Sequence, residues 1–236
     1  MKRRARSRGS VKGSGRYPRQ ERRAGTLLIN EVYASVQGEG PEQGFPTVLV
    51  RLTGCNLRCT YCDSAFAFYE GERTGLEAAV AKVASSGIRR VLLTGGEPMA
   101  QASTPAFCKA LLRRGHLVSI ETNGSYDLGS LPAAVLKVVD VKTPGSAECG
   151  SFDAAVLGQL SRKDALKFVC STREDYLWSR AFLKEHRIFG APEVIFTPVW
   201  GRLDAAELAG WVLEDRLEAR VQVQLHKILW GDQRGR

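Results

Sequence analysis

From residue 27 onward, short apolar runs rich in β-branched residues alternate with stretches of helical period. The runs Thr47–Leu52, Val91–Leu93, Leu117–Ile120, Val135–Val141, Ala165–Val169, Glu193–Phe196 and Arg220–Leu225 predict strands. Between them lie helix-start signals. Thr74 with Glu77 and Asp204 with Glu207 have capping-box spacing, and Thr104 precedes Pro105, a residue that suits the first helical turn. Such alternation predicts an α/β fold of βα repeats around a parallel sheet. The 210 residues from 27 to 236 are short of the ~250 typical of a closed eightfold barrel. A partial, open βα barrel is therefore expected.

The segments that leave these strands carry the distinctive residues. Thr47–Leu52 runs into a cysteine-bearing loop, Val91–Leu93 into Thr94-Gly95-Gly96-Glu97-Pro98, Leu117–Ile120 into Glu121-Thr122-Asn123-Gly124, and Val135–Val141 into Lys142-Thr143-Pro144-Gly145. In a parallel sheet all four gather on one rim, the carboxyl-end rim where α/β proteins bind their ligands.

Charge adds a boundary. The formal net charge is +9, yet residues 1–26 hold ten Lys and Arg against the single acid Glu21, which leaves the remainder neutral. A Gly-, Ser- and Arg-rich segment with few apolar residues cannot bury enough surface to order itself. Residues 1–26 are thus expected to form an unstructured basic extension, and 27–236 the folded domain. The segment also lacks the apolar stretch of a signal peptide, and no apolar run approaches the ~18–20 residues of a membrane helix. A neutral globular part argues against direct nucleic-acid binding, which requires a basic face.

Of six cysteines, Cys55, Cys59 and Cys62 fall within eight residues, whereas Cys108, Cys149 and Cys170 are scattered in apolar surroundings. The scattered three are expected to be small buried hydrophobes. The clustered three suit a metal loop in a reducing compartment, which points to the cytoplasm. Three thiolates in Cys-x3-Cys-x2-Cys fit a soft metal. A zinc site closed by a distant fourth ligand is one reading; a [4Fe-4S] cluster with one iron open to a ligand is the other.

Cys55-x3-Cys59-x2-Cys62 resembles the cluster loop of the radical S-adenosylmethionine (SAM) superfamily, and Gly95-Gly96-Glu97-Pro98 resembles its methionine-binding motif. Within that superfamily the chain is similar to the 7-carboxy-7-deazaguanine synthase family. The likeness runs from about Leu28 to the C-terminus through Val36-Gln37-Gly38-Glu39-Gly40, Cys62-Asp63-Ser64-Ala65-Phe66 and Gln224-Leu225-His226-Lys227-Ile228-Leu229-Trp230-Gly231. A radical-SAM activating enzyme acting on a partner protein would share the cysteine triple. It would leave the Gln-Gly-Glu-Gly and Gln-Leu-His-Lys segments unexplained.

The resemblance implies a carbon–nitrogen lyase that converts 6-carboxy-5,6,7,8-tetrahydropterin to 7-carboxy-7-deazaguanine with loss of ammonia, in queuosine-type 7-deazapurine biosynthesis. It implies a [4Fe-4S] cluster on Cys55, Cys59 and Cys62, and SAM as a catalytic cofactor contacted by Tyr61, Asp63, Gly96, Glu97, Asp140, Val141 and Lys142. Mg2+ is implied on Ser64. The pterin pocket would comprise Val36, Gln37, Gly38, Glu39, Arg51, Thr94 and His226, and an electron donor such as flavodoxin or ferredoxin and a homodimer are implied as well. Chemistry agrees at several points. Glycines allow close approach of backbone to ligand, Glu97 offers an acceptor to an ammonium, and Mg2+ takes oxygen ligands while keeping waters. Arg51 interrupts the apolar run Val48–Leu52, where a charge requires a partner. That partner is a substrate carboxylate, for which a guanidinium fork is suited, or an internal acid.

Overall fold

The structure, a computed structural model, describes residues 25–236. The expectation of an unstructured basic extension falls on residues of which 1–24 lie outside this range; Thr26 opens the first strand.

Nine strands among the described residues form one sheet: β1 (Thr26–Val36), β2 (Pro46–Leu52), β3 (Glu72–Gly75), β4 (Arg90–Gly95), β5 (Leu117–Thr122), β6 (Leu136–Asp140), β7 (Ala165–Cys170), β8 (Glu193–Pro198) and β9 (Arg220–Val221). Their order is β3-β1-β2-β4-β5-β6-β7-β8-β9. From β2 to β9 every pairing is parallel, while β1 pairs antiparallel with β2 and with β3 at one edge. The two edges are not joined, so the sheet is open, as expected. Among the described residues five α-helices accompany it: α1 (Leu76–Ala84), α2 (Thr104–Arg113), α3 (Arg173–Glu185), α4 (Ala205–Glu214) and α5 (Leu225–Trp230). None is long and apolar enough to cross a membrane among the described residues.

The period-2 alternation of a strand sorts side chains to two faces. On one face Val48, Val50, Leu52, Val91, Leu93, Ile120, Val139, Leu166, Phe168 and Phe196 join apolar residues of α1–α4 in a single core. Leu111 and Phe107 of α2 and Tyr176 of α3 are fully buried in it. The intervening residues of the same strands, including Leu49, Arg51, Leu92, Thr94, Glu121, Asp140, Lys167 and Val169, face a cavity on the other side. The helices thus hold the sheet from outside, and the inner face is left for ligands.

Local departures from expectation have physical causes. Thr74 does not cap α1: it pairs with Leu27 in the edge ladder, and the helix begins after Gly75 with no side-chain cap. Asp204 does cap α4, accepting from the amides of Ala206 and Glu207 at 2.7 and 3.4 Å. Ser103 takes the cap position of α2, and the hydroxyl of Thr104 donates to the Pro98 carbonyl at 2.6 Å. The strand expected over Arg220–Leu225 stops at Val221, because Gln222 turns to exchange two hydrogen bonds with the Gly40 backbone at 2.9 and 2.8 Å. Cys108 and Cys170 are buried, but Cys149 is half-buried, on the loop beyond Pro144–Ser146.

Candidate active site

The four loops expected on one rim do meet there. They surround a cavity of about 670 Å3, within the range of small-molecule sites. Cys55, Cys59 and Cys62 line it and are half-buried free thiols. Burial pushes the Cys55 thiol up to about 12 and the Cys59 thiol up to about 11, and it raises Cys62 as well. Among the described residues, no three His, Cys, Asp or Glu side chains converge as the ligands of one metal ion. Three thiols that line one cavity can surround the volume of a cluster, and a cluster held by three cysteines keeps one iron open.

Gly96 lets the thiol loop and the β4 loop touch. A Cβ at Gly96 would lie 1.8 Å from the Gly54 carbonyl oxygen, and the Gly96 and Glu97 amides bond to Leu52 and Gly54 carbonyls at 3.0 and 2.7 Å. The Glu97 side chain is fully buried and does not line the cavity. Its carboxylate accepts from the Met99 amide, the Thr122 hydroxyl and the Asn123 amide at 2.9, 2.7 and 2.7 Å. In this geometry Glu97 ties the β4 loop to the end of β5, and it is the Gly96 backbone that the loop presents to the cavity. Val141 is likewise buried, its amide bonded to the Lys167 carbonyl. Asp140 and Lys142 beside it do line the cavity, paired at 2.8 Å. Burial opposes both charges but is outweighed: Lys142 and Lys167 together hold Asp140 below its ordinary range, and Asp140 with Tyr61 and Cys59 holds Lys142 above its own. Tyr61 and Asp63 also line the cavity. Burial lifts the Tyr61 phenol, first of all; Asp63 is lowered because the Ser64 hydroxyl, Arg51, His226 and Lys227 outweigh its enclosure.

Toward the β1–β2 side the walls change. Val36, Gly38, Glu39, Arg51, Thr94 and His226 line the cavity, whereas Gln37 is buried, accepting from Thr47 and donating to the Glu39 carbonyl. Arg51 has the internal acid partner that its place in an apolar strand demands: Nε donates to Glu31 at 2.7 Å, Nη1 to Ser64 Oγ at 3.0 Å and Nη2 to the Tyr33 hydroxyl at 3.1 Å. Three of five guanidinium N–H groups are engaged, so the fork still has donors for a ligand. Ser64 in turn donates to Asp63 at 2.8 Å. Thr94 donates to Glu121 at 2.9 Å. Burial raises the Glu39 carboxyl above its ordinary range, against the pull of Lys167 and His226.

Lys167, Glu31 and Tyr33, which were not expected among the site residues, also line this cavity, as does Glu121 of the rim segment, for which no role was expected. For Lys167 the signal was available. It breaks the run Ala165-Leu166-Lys167-Phe168-Val169 as Arg51 breaks its own strand. Glu31 and Tyr33 lie in β1, whose mixed polar pattern predicted no strand.

An open parallel sheet with three thiols and a Gly-Gly-Glu-Pro loop on its carboxyl rim is the architecture of a radical SAM protein, and residues 49–140 match the Radical SAM superfamily. The chain belongs to the 7-carboxy-7-deazaguanine synthase family. It is 40% identical over 221 residues to the 7-carboxy-7-deazaguanine synthase of Koribacter versatilis, covering 86% of this chain and 97% of that one. It is 36% identical to that of Chlorobaculum tepidum, over 89% and 97% of the two chains. The crystal structure of QueE from Escherichia coli superposes with a TM-score of 0.72 at 21% identity, covering 85% of this chain and 95% of that one.

Proposed function

We propose that this protein is a radical SAM lyase that converts 6-carboxy-5,6,7,8-tetrahydropterin to 7-carboxy-7-deazaguanine with loss of ammonia, in queuosine-type 7-deazapurine biosynthesis. The observation that carries the reading is that the thiol triad and a polar wall of Glu39, Arg51, Thr94 and Glu121 share one cavity. When bound, a [4Fe-4S] cluster on Cys55, Cys59 and Cys62 supplies the one-electron cleavage of SAM that begins hydrogen abstraction from the pterin.

The chain's own residues do the rest. Tyr61, Asp63, Asp140, Lys142 and the backbone at Gly96 hold SAM against the cluster loop, with Glu97 setting the Gly96 backbone from behind and Val141 fixing the end of β6 between Asp140 and Lys142. Arg51 has the free guanidinium donors for the pterin carboxylate, while Glu39, Glu121 and Thr94 match the donors of a pterin edge. Val36, Gly38 and His226 close that end, with Gln37 shaping the turn beneath. The Ser64 hydroxyl lies between the Asp63 and Arg51 side chains, where it would give Mg2+ one oxygen beside the substrate carboxylate. The reading extends to a cytoplasmic homodimer reduced by flavodoxin or ferredoxin, with residues 27–236 as the catalytic unit and the basic extension 1–26 dispensable for catalysis. A cavity of small-molecule size fits a pterin better than the protein segment that an activating enzyme must admit.

The test is anaerobic reconstitution with iron and sulfide, followed by SAM, reductant, Mg2+ and the pterin, with products read by mass spectrometry. Formation of 7-carboxy-7-deazaguanine without stoichiometric loss of SAM is expected. SAM cleavage with the pterin untouched would overturn the substrate assignment.

A further inference from the structure

Lys167 lies in the middle of β7, a strand buried at all six positions, and is itself 5% exposed. The fold alone does not call for a charge here, because replacing a whole buried ion pair, Lys167 together with its carboxylates, by apolar residues is often neutral or stabilising. Its surroundings assign it another task. The ammonium stands 3.3 Å from Glu39 Oε2 on the pterin side and 3.7 Å from Asp140 Oδ2 on the SAM side. The second contact follows from register, since Asp140 and Lys167 are Cα partners across β6 and β7. The first spans 128 positions in sequence.

Each carboxylate gives one oxygen to this bridge. The other oxygens, Glu39 Oε1 and Asp140 Oδ1, are buried without a hydrogen-bond partner. A buried acceptor left unmatched is costly, so both oxygens are presented to something absent from the chain itself. Both residues line the cavity, Asp140 beside Lys142 and Glu39 in the turn between β1 and β2. Glu121 adds a third negative charge acting on Lys167, and together the three carboxylates outweigh burial and keep the lysine charged.

We propose that Lys167 is a positioning residue that couples the two ligand sites, holding Glu39 and Asp140 so that SAM and the pterin each bind more tightly when the other is present. The inference rests on the function proposed above. Its physical basis is ordering. A lysine is a point charge on a flexible stem, and at these distances it can favour either carboxylate. A ligand that donates to Asp140 Oδ1 fixes one end of the bridge. The second ligand then meets a Glu39 already held, and does not bear that ordering cost again. Reciprocity requires the pterin to improve SAM binding by the same factor.

The experiment measures equilibrium binding of 6-carboxytetrahydropterin by the reconstituted protein, with and without SAM and without reductant, so that nothing turns over. Wild type is expected to bind pterin on the order of tenfold more tightly with SAM, within the usual range of coupling between sites. Lys167→Met should reduce the ratio to about one, with the cluster absorbance unchanged, and Lys167→Arg should restore most of it. If Lys167→Met proves too unstable to load a cluster, Lys167→Gln removes the charge with less loss of polarity, and the same collapse is expected. A tenfold ratio surviving in either neutral variant, or no ratio in wild type that binds both ligands, would overturn the inference. Wild type that binds SAM but no pterin would instead overturn the substrate assignment.

Discussion

Arg51 and Glu31 are Cα partners across the β1–β2 ladder, and Arg51 Nε donates to Glu31 Oε1 at 2.7 Å. The pair fixes the guanidinium plane from behind. Its other contacts, Ser64 and Tyr33, fix it from the sides, so a flexible side chain becomes a rigid element of the cavity wall.

Arg51→Lys tests that rigidity. The ammonium keeps the charge and can reach Glu31, but it cannot serve Glu31, Ser64 and Tyr33 while presenting a fork to a carboxylate. Loss of one charge-assisted hydrogen bond of about 1.5–3 kcal/mol corresponds to a rise in KM for the pterin of roughly 10- to 150-fold. The cluster spectrum should be unchanged. Steady-state kinetics on the reconstituted variant provide the check, and a KM within twofold of wild type would exclude Arg51 from substrate recognition.

Two glycines predict opposite outcomes for one substitution. At Gly96 an added methyl meets the Gly54 carbonyl oxygen at 1.8 Å, backbone against backbone, with Cys55 next in line. At Gly38 it meets His226 Nδ1 at 2.0 Å, a side chain able to turn aside. Gly96→Ala is therefore expected to yield protein that loads little or no cluster. Gly38→Ala should load a full cluster and show a raised KM for the pterin, because His226 is displaced from the wall. Iron and sulfide content, measured beside KM, separates the two.

The cluster loop should titrate as it loads. Burial holds the Cys55 and Cys59 thiols up to about 12 and about 11, so both are protonated at neutral pH in the metal-free protein. Ligation requires thiolates and releases protons. Loading is expected to release about one proton per cysteine and to become more favourable from pH 7 to pH 9, as the cost of deprotonation falls. A pH-indicator assay during reconstitution in weak buffer reads the release. Cys59→Ala should lower it and abolish SAM cleavage; a pH-independent loading equilibrium would refute this account of the loop.

How far the sequence could be read depended on whether a residue's role was local. The parallel strands were legible because most are short apolar runs broken by at most one polar residue, and the rim followed because consecutive βα units bring strand ends to one side. β1 was not, since Thr26–Val36 mixes half-buried residues on both faces, and β3 offers only Glu72-Arg73-Thr74-Gly75. In the site, Cys55, Cys59 and Cys62 were legible because ligand spacing is local. The burial of Glu97 was not, since the donors that saturate it include Thr122 and Asn123 at the end of another strand. Nor was the Glu39–Lys167–Asp140 bridge, whose Asp140 half comes from the register of β6 and β7 and whose Glu39 half comes from the distant turn between β1 and β2.

Another buried ion pair, outside the cavity lining, offers a test of stability alone. Asp164 is fully buried; it receives the Lys137 ammonium at 3.1 Å, the Lys137 amide at 2.8 Å, and the Ser161 amide and hydroxyl, each at 2.8 Å. The two partners are not equivalent. Removing the Lys137 charge leaves Asp164 with its other donors, whereas removing the carboxylate strands an ammonium and several N–H and O–H groups together. Asp164→Ala should therefore cost about 3–5 kcal/mol, the range for breaking a buried pair, and Lys137→Met much less. The pH dependence follows from the same bonds. Burial raises the Asp164 carboxyl, but the Lys137 amide, the Ser161 groups and the Lys137 ammonium outweigh it and hold the pKa below the ordinary value. A depressed folded pKa contributes stability that is present above the unfolded value near 3.9 and is lost as pH falls through the folded one. Urea unfolding at pH 7 and at pH 3 should thus show the wild-type advantage over Asp164→Ala shrinking at the lower pH. Equal costs for the two single substitutions at pH 7 would mean that the lysine, and not the backbone and serine donors, dominates this site.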